Sequence, residues 1–147
     1  MALTIGSSAP DFTLPSTSGS DFTLSQNLGK PLVLFFYPKD FTSGCTAEAC
    51  DFRDNMSVFS DLEVQVIGVS RDNIATHNKF RAEHKLPYHL LADVSGKISA
   101  LYDARVPVLG LTKRITYLID ATGKIEAAFS DMFDAKAHIK NMLKALK

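Results

Sequence analysis

The chain is expected to fold as an α/β sandwich, a central mixed β-sheet flanked by helices, with a β-hairpin at its N-terminus. Three observations predict it. Apolar runs of strand length at 32–37, 64–69 and 114–120 are separated by segments whose apolar residues recur at helical spacing. Two turn clusters, 15–19 and 121–123, each join a pair of short alternating runs. The length of 147 residues suits one domain, spanning 1–147, and no repeat, low-complexity tract or linker divides it.

In order, Asp11-Phe12-Thr13-Leu14 and Asp21-Phe22-Thr23-Leu24 flank the first turn cluster and read as a hairpin with Phe12, Leu14, Phe22 and Leu24 on its apolar side. Gly29-Lys30-Pro31 breaks the chain, and the unbroken apolar run that follows suits a central strand buried on both faces. Ala49, Phe52, Met56 and Phe59 then recur every three or four residues, which predicts one buried helical stripe. A second buried strand at 64–69 leads to Ser70-Arg71-Asp72-Asn73, a capping sequence for a helix reaching about His84. Tyr88-His89-Leu90-Leu91 is a short strand, and 95–102 a brief helix with Ile98, Leu101 and Tyr102 as its apolar residues. Residues 105–113, with Pro107 and Gly110, read as a loop. The β-branched run 114–120 and the run 124–129 make a second hairpin. Ala135, Ile139, Met142, Leu143 and Leu146, with lysines between them, define an amphipathic C-terminal helix. This order fits a thioredoxin-like sandwich.

Composition removes several classes of function. Lys plus Arg and Asp plus Glu both number 16, so no net field draws the chain to nucleic acid or to an anionic membrane. No apolar run approaches the ~20 residues of a membrane span, and the N-terminus lacks a basic start followed by a long apolar region. The expectation is a cytoplasmic protein acting on a small or neutral substrate. In a reducing compartment its two cysteines suit catalysis, redox sensing or metal binding better than a permanent staple.

Both cysteines fall where the first strand gives way to the first helix. A thiol acts as a nucleophile in its thiolate form, which a helix N-terminus or a nearby cation favours. Cys45 sits where the loop becomes helix, so free backbone N–H groups and the helix dipole would stabilise an anion there. Thr42 offers a hydroxyl to the thiolate or to a bound oxygen, and Pro38 can fix the loop and shield the sulfur. Cys50 lies five residues further on. In an intact helix that spacing separates the Cα atoms by roughly 8–9 Å, beyond the ~7 Å a disulfide tolerates. If the two cysteines bridge, part of the helix must unwind. A metal site is the weaker reading, because the cysteines are not in CxxC spacing and His77, His84, His89 and His138 are explained as surface or helix-face residues. The missing CxxC also disfavours a dithiol oxidoreductase of that type.

Pro38-x-x-x-Thr42-x-x-Cys45 resembles the Pro-x-x-x-Thr-x-x-Cys signature of peroxiredoxins, and 37–42 with 44–54 resemble the PrxQ, or bacterioferritin comigratory protein, subfamily. The likeness extends through Ala9-Pro10-Asp11-Phe12, 66–70 and 114–120, nearly the whole chain. Ser43 stands where the subfamily often has Pro, and the 102–113 segment lacks the tryptophan and longer loop of many relatives.

The resemblance implies Cys45 as the peroxidatic cysteine, Cys50 as the resolving one, and Pro38, Thr42 and Arg114 as the other residues at the reacting atoms. Arg114 would supply the cation that favours the thiolate and polarises the peroxide. Gly44 and Glu48 would stand behind them, Glu48 either orienting an active-site arginine or simply facing the helix dipole. It further implies a hydroperoxide substrate, an intramolecular Cys45–Cys50 disulfide, thioredoxin or a related dithiol as reductant, a monomer, and no metal, haem, flavin or selenium. Two rival readings remain open at this point. One is a redox sensor or holdase in which oxidation of Cys45 unwinds the helix and exposes Phe52 and Met56; the other is a glutathione-peroxidase-like enzyme.

Overall fold

A computed structural model describes residues 2–106 and 111–146. The N-terminal hairpin forms as a separate two-stranded sheet of β1 (Thr13–Pro15) and β2 (Asp21–Thr23), with Leu14 opposite Phe22. Its alternation buries Phe12, Leu14 and Phe22 and leaves the intervening threonines outside the core, while Leu24, also buried, already starts a 3-10 turn. A bridge from Ser16 to Leu91, with Thr17 N–H donating to the Leu90 carbonyl at 3.0 Å, ties the hairpin to the edge of the main sheet.

That main sheet is built around β3 (Leu32–Phe36), every residue of which is buried. Parallel to it lies β4 (Gln65–Ser70), and beyond β4 the edge strand β5 (His89–Ala92), also parallel. On the other side β6 (Ile115–Ile119) runs antiparallel to β3 and pairs with β7 (Ile125–Ser130), giving the order β5-β4-β3-β6-β7. The central position of β3 explains its unbroken apolar run. Leu32, Leu34 and Phe36 enter one core with the hairpin phenylalanines, Tyr102 and Tyr117, whereas Val33, Phe35 and Tyr37 enter a second core with Phe52, Phe59, Phe80 and Ile139. The sandwich predicted by the order of patterns is therefore the fold observed.

Helices α1 (Ser43–Asp54), α2 (Met56–Asp61), α3 (Ile74–Glu83) and α5 (Ala135–Leu146) contribute to the second core, and α4 (Lys97–Leu101) contributes Ile98 to the first. Asn73 caps α3 as its sequence predicts, its side chain accepting from the Thr76 N–H at 2.8 Å. α1 packs against α5 and against the sheet, where the Phe52 ring stacks on Phe35 at 4.5 Å between centroids. The Tyr88 hydroxyl donates to the Ala49 carbonyl at 2.7 Å, pinning the middle of α1. Among the described residues no helix is long and apolar enough to cross a membrane.

Four expectations change in detail. The stripe 49–59 is two helices, because Asn55 leaves helical geometry (φ −106°, ψ 9°) and turns its side-chain amide back onto the Asp51 carbonyl at 2.8 Å. Leu101 is 46% exposed, since a helix as short as α4 turns only Ile98 and Ser99 inward. The loop 105–113 is paired at its flanks, with Arg105 bridged to Thr112 and the Val106 N–H donating to the Leu111 carbonyl at 2.7 Å; its residues 107–110 lie outside the described residues. Finally, His77 and His138 are buried rather than on the surface, each with both ring nitrogens hydrogen-bonded. Periodicity could not show those partners, because they come from distant strands and loops.

Candidate active site

The loop 38–42 leaves the end of β3 and turns directly into α1. Thr42 takes the N-cap position in extended geometry (φ −82°, ψ 151°), and its carbonyl accepts the first helical bond from Thr46 N–H at 2.9 Å. Its hydroxyl donates to the Lys39 carbonyl at 2.8 Å, closing the loop on itself. Pro38 is half-buried at the loop's start. Cys45 is the third residue of α1 and only 1% exposed. No acidic residue stands in that first turn, so the positive end of the helix dipole remains available to the sulfur.

Arg114 arrives from the start of the neighbouring strand β6. Phe36 pairs with Ile115 in the β3–β6 ladder, so the residue before β6 lies alongside the end of β3, where the loop begins. The guanidinium spends its donors three ways: Nη2 on Cys45 Sγ at 3.4 Å, Nη1 on Glu48 Oε1 at 2.7 Å, and Nε on the Met132 carbonyl at 3.1 Å. Arg114 is 5% exposed, buried rather than solvated. Burial works against its charge, but Glu48 and Cys45 beside it outweigh burial and raise its pKa further. The guanidinium is a fixed cation aimed at the sulfur.

Gly44 makes room for it. A Cβ at that position would stand 3.0 Å from Arg114 Nη2, closer than side-chain packing ordinarily allows. Glu48, one turn after Cys45, is fully buried, and burial pushes its carboxyl up to about 8 against the opposing pull of Arg114. Among the described residues its Oε2 has no hydrogen-bond partner; His138 Nδ1, from α5, stands 3.6 Å away. Burial, the leading cause, lowers the pKa of the His138 imidazole. Its Nε2 faces the Asp131 carbonyl at 2.8 Å and must carry the proton, which leaves Nδ1 to accept from the Thr116 hydroxyl at 2.8 Å.

Cys50 lies on the same unbroken helix, half-buried, and both cysteines are free thiols. The structure thus brings Cys45, Gly44, Glu48 and Arg114 into contact, and places Thr42 and Pro38 in the adjoining loop. Sequence reasoning did not find Thr116, Met132 or His138 beside them. A backbone carbonyl leaves no signature in a sequence, and a buried histidine on an amphipathic helix looks like an exposed one.

One cluster among the described residues has ligand atoms spaced as a metal site requires, with Asp40, Asp72 and His77 within 4.8 Å of one another. Its facing atoms are already hydrogen-bonded: Asp40 Oδ2 to His77 Nδ1 at 2.6 Å, and Asp72 Oδ2 to the Asp40 N–H and the Ser70 hydroxyl.

At the start of a helix on a thioredoxin-like sheet, a buried thiol thus meets a fixed guanidinium on its sulfur. Residues 5–128 match the AhpC/TSA family, and the chain belongs to that family, in its peroxiredoxin Q/Bcp group. It is 39% identical to peroxiredoxin Bcp of Bacillus subtilis (strain 168), an alignment covering all of this chain and 97% of the relative. With chloroplastic peroxiredoxin Q of Arabidopsis thaliana it shares 41% identity over 97% of its length, spanning 66% of that longer relative. The chain likewise spans 66% of the rice chloroplastic peroxiredoxins Q, which it matches at 38% identity. Among solved structures, peroxidoxin BcpB of Mycobacterium tuberculosis superposes with a TM-score of 0.90 at 36% identity, covering 97% of this chain and 95% of that one. The bacterioferritin comigratory protein of Xanthomonas campestris, studied for its alkyl peroxide reduction activity, gives 0.85 at 28% identity, covering 92% and 89%.

Proposed function

We propose that residues 1–147 form a single-domain, cytoplasmic, monomeric thiol peroxidase that reduces hydrogen peroxide and organic hydroperoxides and is regenerated by thioredoxin. The observation that carries this reading is the Arg114 guanidinium 3.4 Å from the buried Cys45 sulfur at the start of α1. A cation and a helix N-terminus favour the thiolate, and the same donors stabilise the charge that develops as an O–O bond breaks.

In the first step the Cys45 thiolate attacks one oxygen of the hydroperoxide. An S–O bond forms, the O–O bond breaks, and the departing oxygen takes a proton and leaves as water or an alcohol. Sulfur is oxidised to a sulfenic acid and the peroxide is reduced. Cys50 then attacks that sulfur, expelling water and forming an intramolecular disulfide. With both cysteines on intact α1, their Cα atoms lie roughly 8–9 Å apart, so this step requires the start of α1 to unwind. A dithiol reductant, thioredoxin in this reading, restores both thiols by exchange and is itself oxidised. Because both cysteines belong to one chain, no second subunit is required.

The test is a coupled assay with thioredoxin, thioredoxin reductase and NADPH over hydrogen peroxide and several organic hydroperoxides. Turnover is expected from the wild type and none from Cys45→Ser, whereas Cys50→Ser should reduce one equivalent of peroxide and stop. Full activity of Cys45→Ser would refute the assignment, and undiminished thioredoxin-driven turnover by Cys50→Ser would refute the intramolecular disulfide.

A further inference from the structure

The mechanism above leaves unused a chain of buried polar groups on the far side of the catalytic loop. Asp40, in the middle of that loop, is 3% exposed, and Tyr37 and His77 are at 1% and 0%. The Tyr37 hydroxyl donates to Asp40 Oδ1 at 2.5 Å, and Asp40 Oδ2 meets His77 Nδ1 at 2.6 Å. His77 Nε2 lies 2.9 Å from the Leu91 carbonyl on β5. A carbonyl only accepts, so Nε2 carries a proton. The remaining proton of the pair sits between Nδ1 and Oδ2, and the hydrogen bond exists whichever atom holds it. The phenol stays a donor, since burial and the Asp40 charge raise its pKa well above the ordinary value. The Asp40 N–H donates to Asp72 Oδ2 at 2.9 Å, a third attachment for the same residue.

The backbone beside Asp40 needs holding. Phe41 has φ +65°, in the left-handed region that a residue with a bulky side chain seldom occupies, and its ring, 48% exposed, meets buried Phe80 of α3 edge-on at 5.1 Å. Thr42, the helix N-cap, follows at once, and Cys45 three residues later. On one side the Cys45 sulfur is approached by Arg114, which enters from β6. On the other, the loop leading to it is fastened by Asp40 to α3 and, through His77, to β5.

We propose that the Tyr37–Asp40–His77 hydrogen-bonded chain is a positioning device for the proposed peroxidase, holding the strained loop so that Cys45 meets Arg114. These three are positioning residues, acting through the loop on the sulfur. The inference rests on the peroxidase reading, and it separates two steps. The oxidation of Cys45 depends on the loop's geometry. The later approach of Cys50 requires α1 to unwind and gains nothing from the clamp.

Rapid-quench mass spectrometry tests this by counting thiol, sulfenic acid and disulfide against time after mixing with hydrogen peroxide. Asp40→Ala removes the clamp and should slow the oxidation step by about tenfold to a hundredfold, the range for an ångström-scale misplacement. Resolution by Cys50 should be unchanged or faster. Asp40→Asn is the conservative rescue: its amide oxygen accepts from Tyr37 and its N–H donates to an unprotonated Nδ1, so oxidation should stay within about threefold of wild type. Tyr37→Phe deletes one hydroxyl from an otherwise intact site and supplies an answer if Asp40→Ala does not fold; it should slow oxidation several-fold with resolution preserved. Wild-type oxidation rates in Tyr37→Phe and Asp40→Ala would overturn the inference, as would Asp40→Asn as slow as Asp40→Ala, or equal slowing of both steps. A wild type that consumes no peroxide would overturn the peroxidase reading instead, and this inference with it.

Discussion

Glu48→Gln gives the sharpest physical test of the site. The carboxyl is wholly buried beside Arg114 and is raised from an ordinary 4.5 to about 8, with burial the leading cause. Between those values the folded chain keeps a proton that the unfolded chain has released. Unfolding therefore releases a proton in that window, and stability falls as pH rises. The stabilising contribution is fully present below about 4.5 and is lost progressively as pH climbs through about 8. Its slope reaches about 1.4 kcal/mol per pH unit, so the window contains at most about 5 kcal/mol, a large part of the 5–15 kcal/mol of a typical domain. Glutamine keeps an oxygen for Arg114 Nη1 and cannot titrate. Urea unfolding of both proteins at pH 5, 6, 7 and 8, under reducing conditions, should show the variant gaining on the wild type by several kcal/mol across the series. A difference that is constant with pH would refute the claim that Glu48 is held neutral in the folded chain.

Other substitutions probe the remaining contacts. Arg114→Lys keeps a positive charge but cannot serve Cys45, Glu48 and Met132 together, and should lower the second-order rate with hydrogen peroxide by about a hundredfold; stopped-flow kinetics give the answer, and a rate within twofold of wild type would show that charge alone suffices. Gly44→Ala puts a methyl group 3.0 Å from Arg114 Nη2, and should slow the same step about tenfold while leaving urea stability nearly unchanged. Phe52→Ala removes a ring stacked on Phe35 at 4.5 Å and should cost about 3–5 kcal/mol in urea unfolding.

Much of the site was legible because its chemistry is local. The loop, the helix start and both cysteines all fall between positions 37 and 54, where motif and spacing can be read directly. Arg114 was legible only through family likeness, since nothing in a strand-end arginine declares that it crosses to another element. For Glu48 the sequence admits two roles, orienting an arginine or facing the helix dipole, and only the fold shows that its carboxyl is buried and bonded to Arg114 at 2.7 Å. Of the two readings of His77 and His138, surface or helix face, only the helix face holds, and their burial is not legible because helical periodicity reports which face is apolar, whereas a buried imidazole is stabilised by whichever groups meet its two nitrogens.

The amino-acid sequence by itself determined the order of strands and helices, the double burial of the central strand, and the placement of Cys45 where loop becomes helix. Those properties follow from local pattern and from the period of apolar residues. Only the tertiary structure decided that the 49–59 stripe breaks at Asn55, that Arg114 reaches the sulfur, that Glu48 is sealed beside it, and that Asp40 is moored to His77. Each of the last three joins residues at least 37 positions apart, and such contacts arise from the register of β3 against β6 and from the packing of α3 and α1 on the sheet. A sequence encodes that register only through the folding of the whole chain.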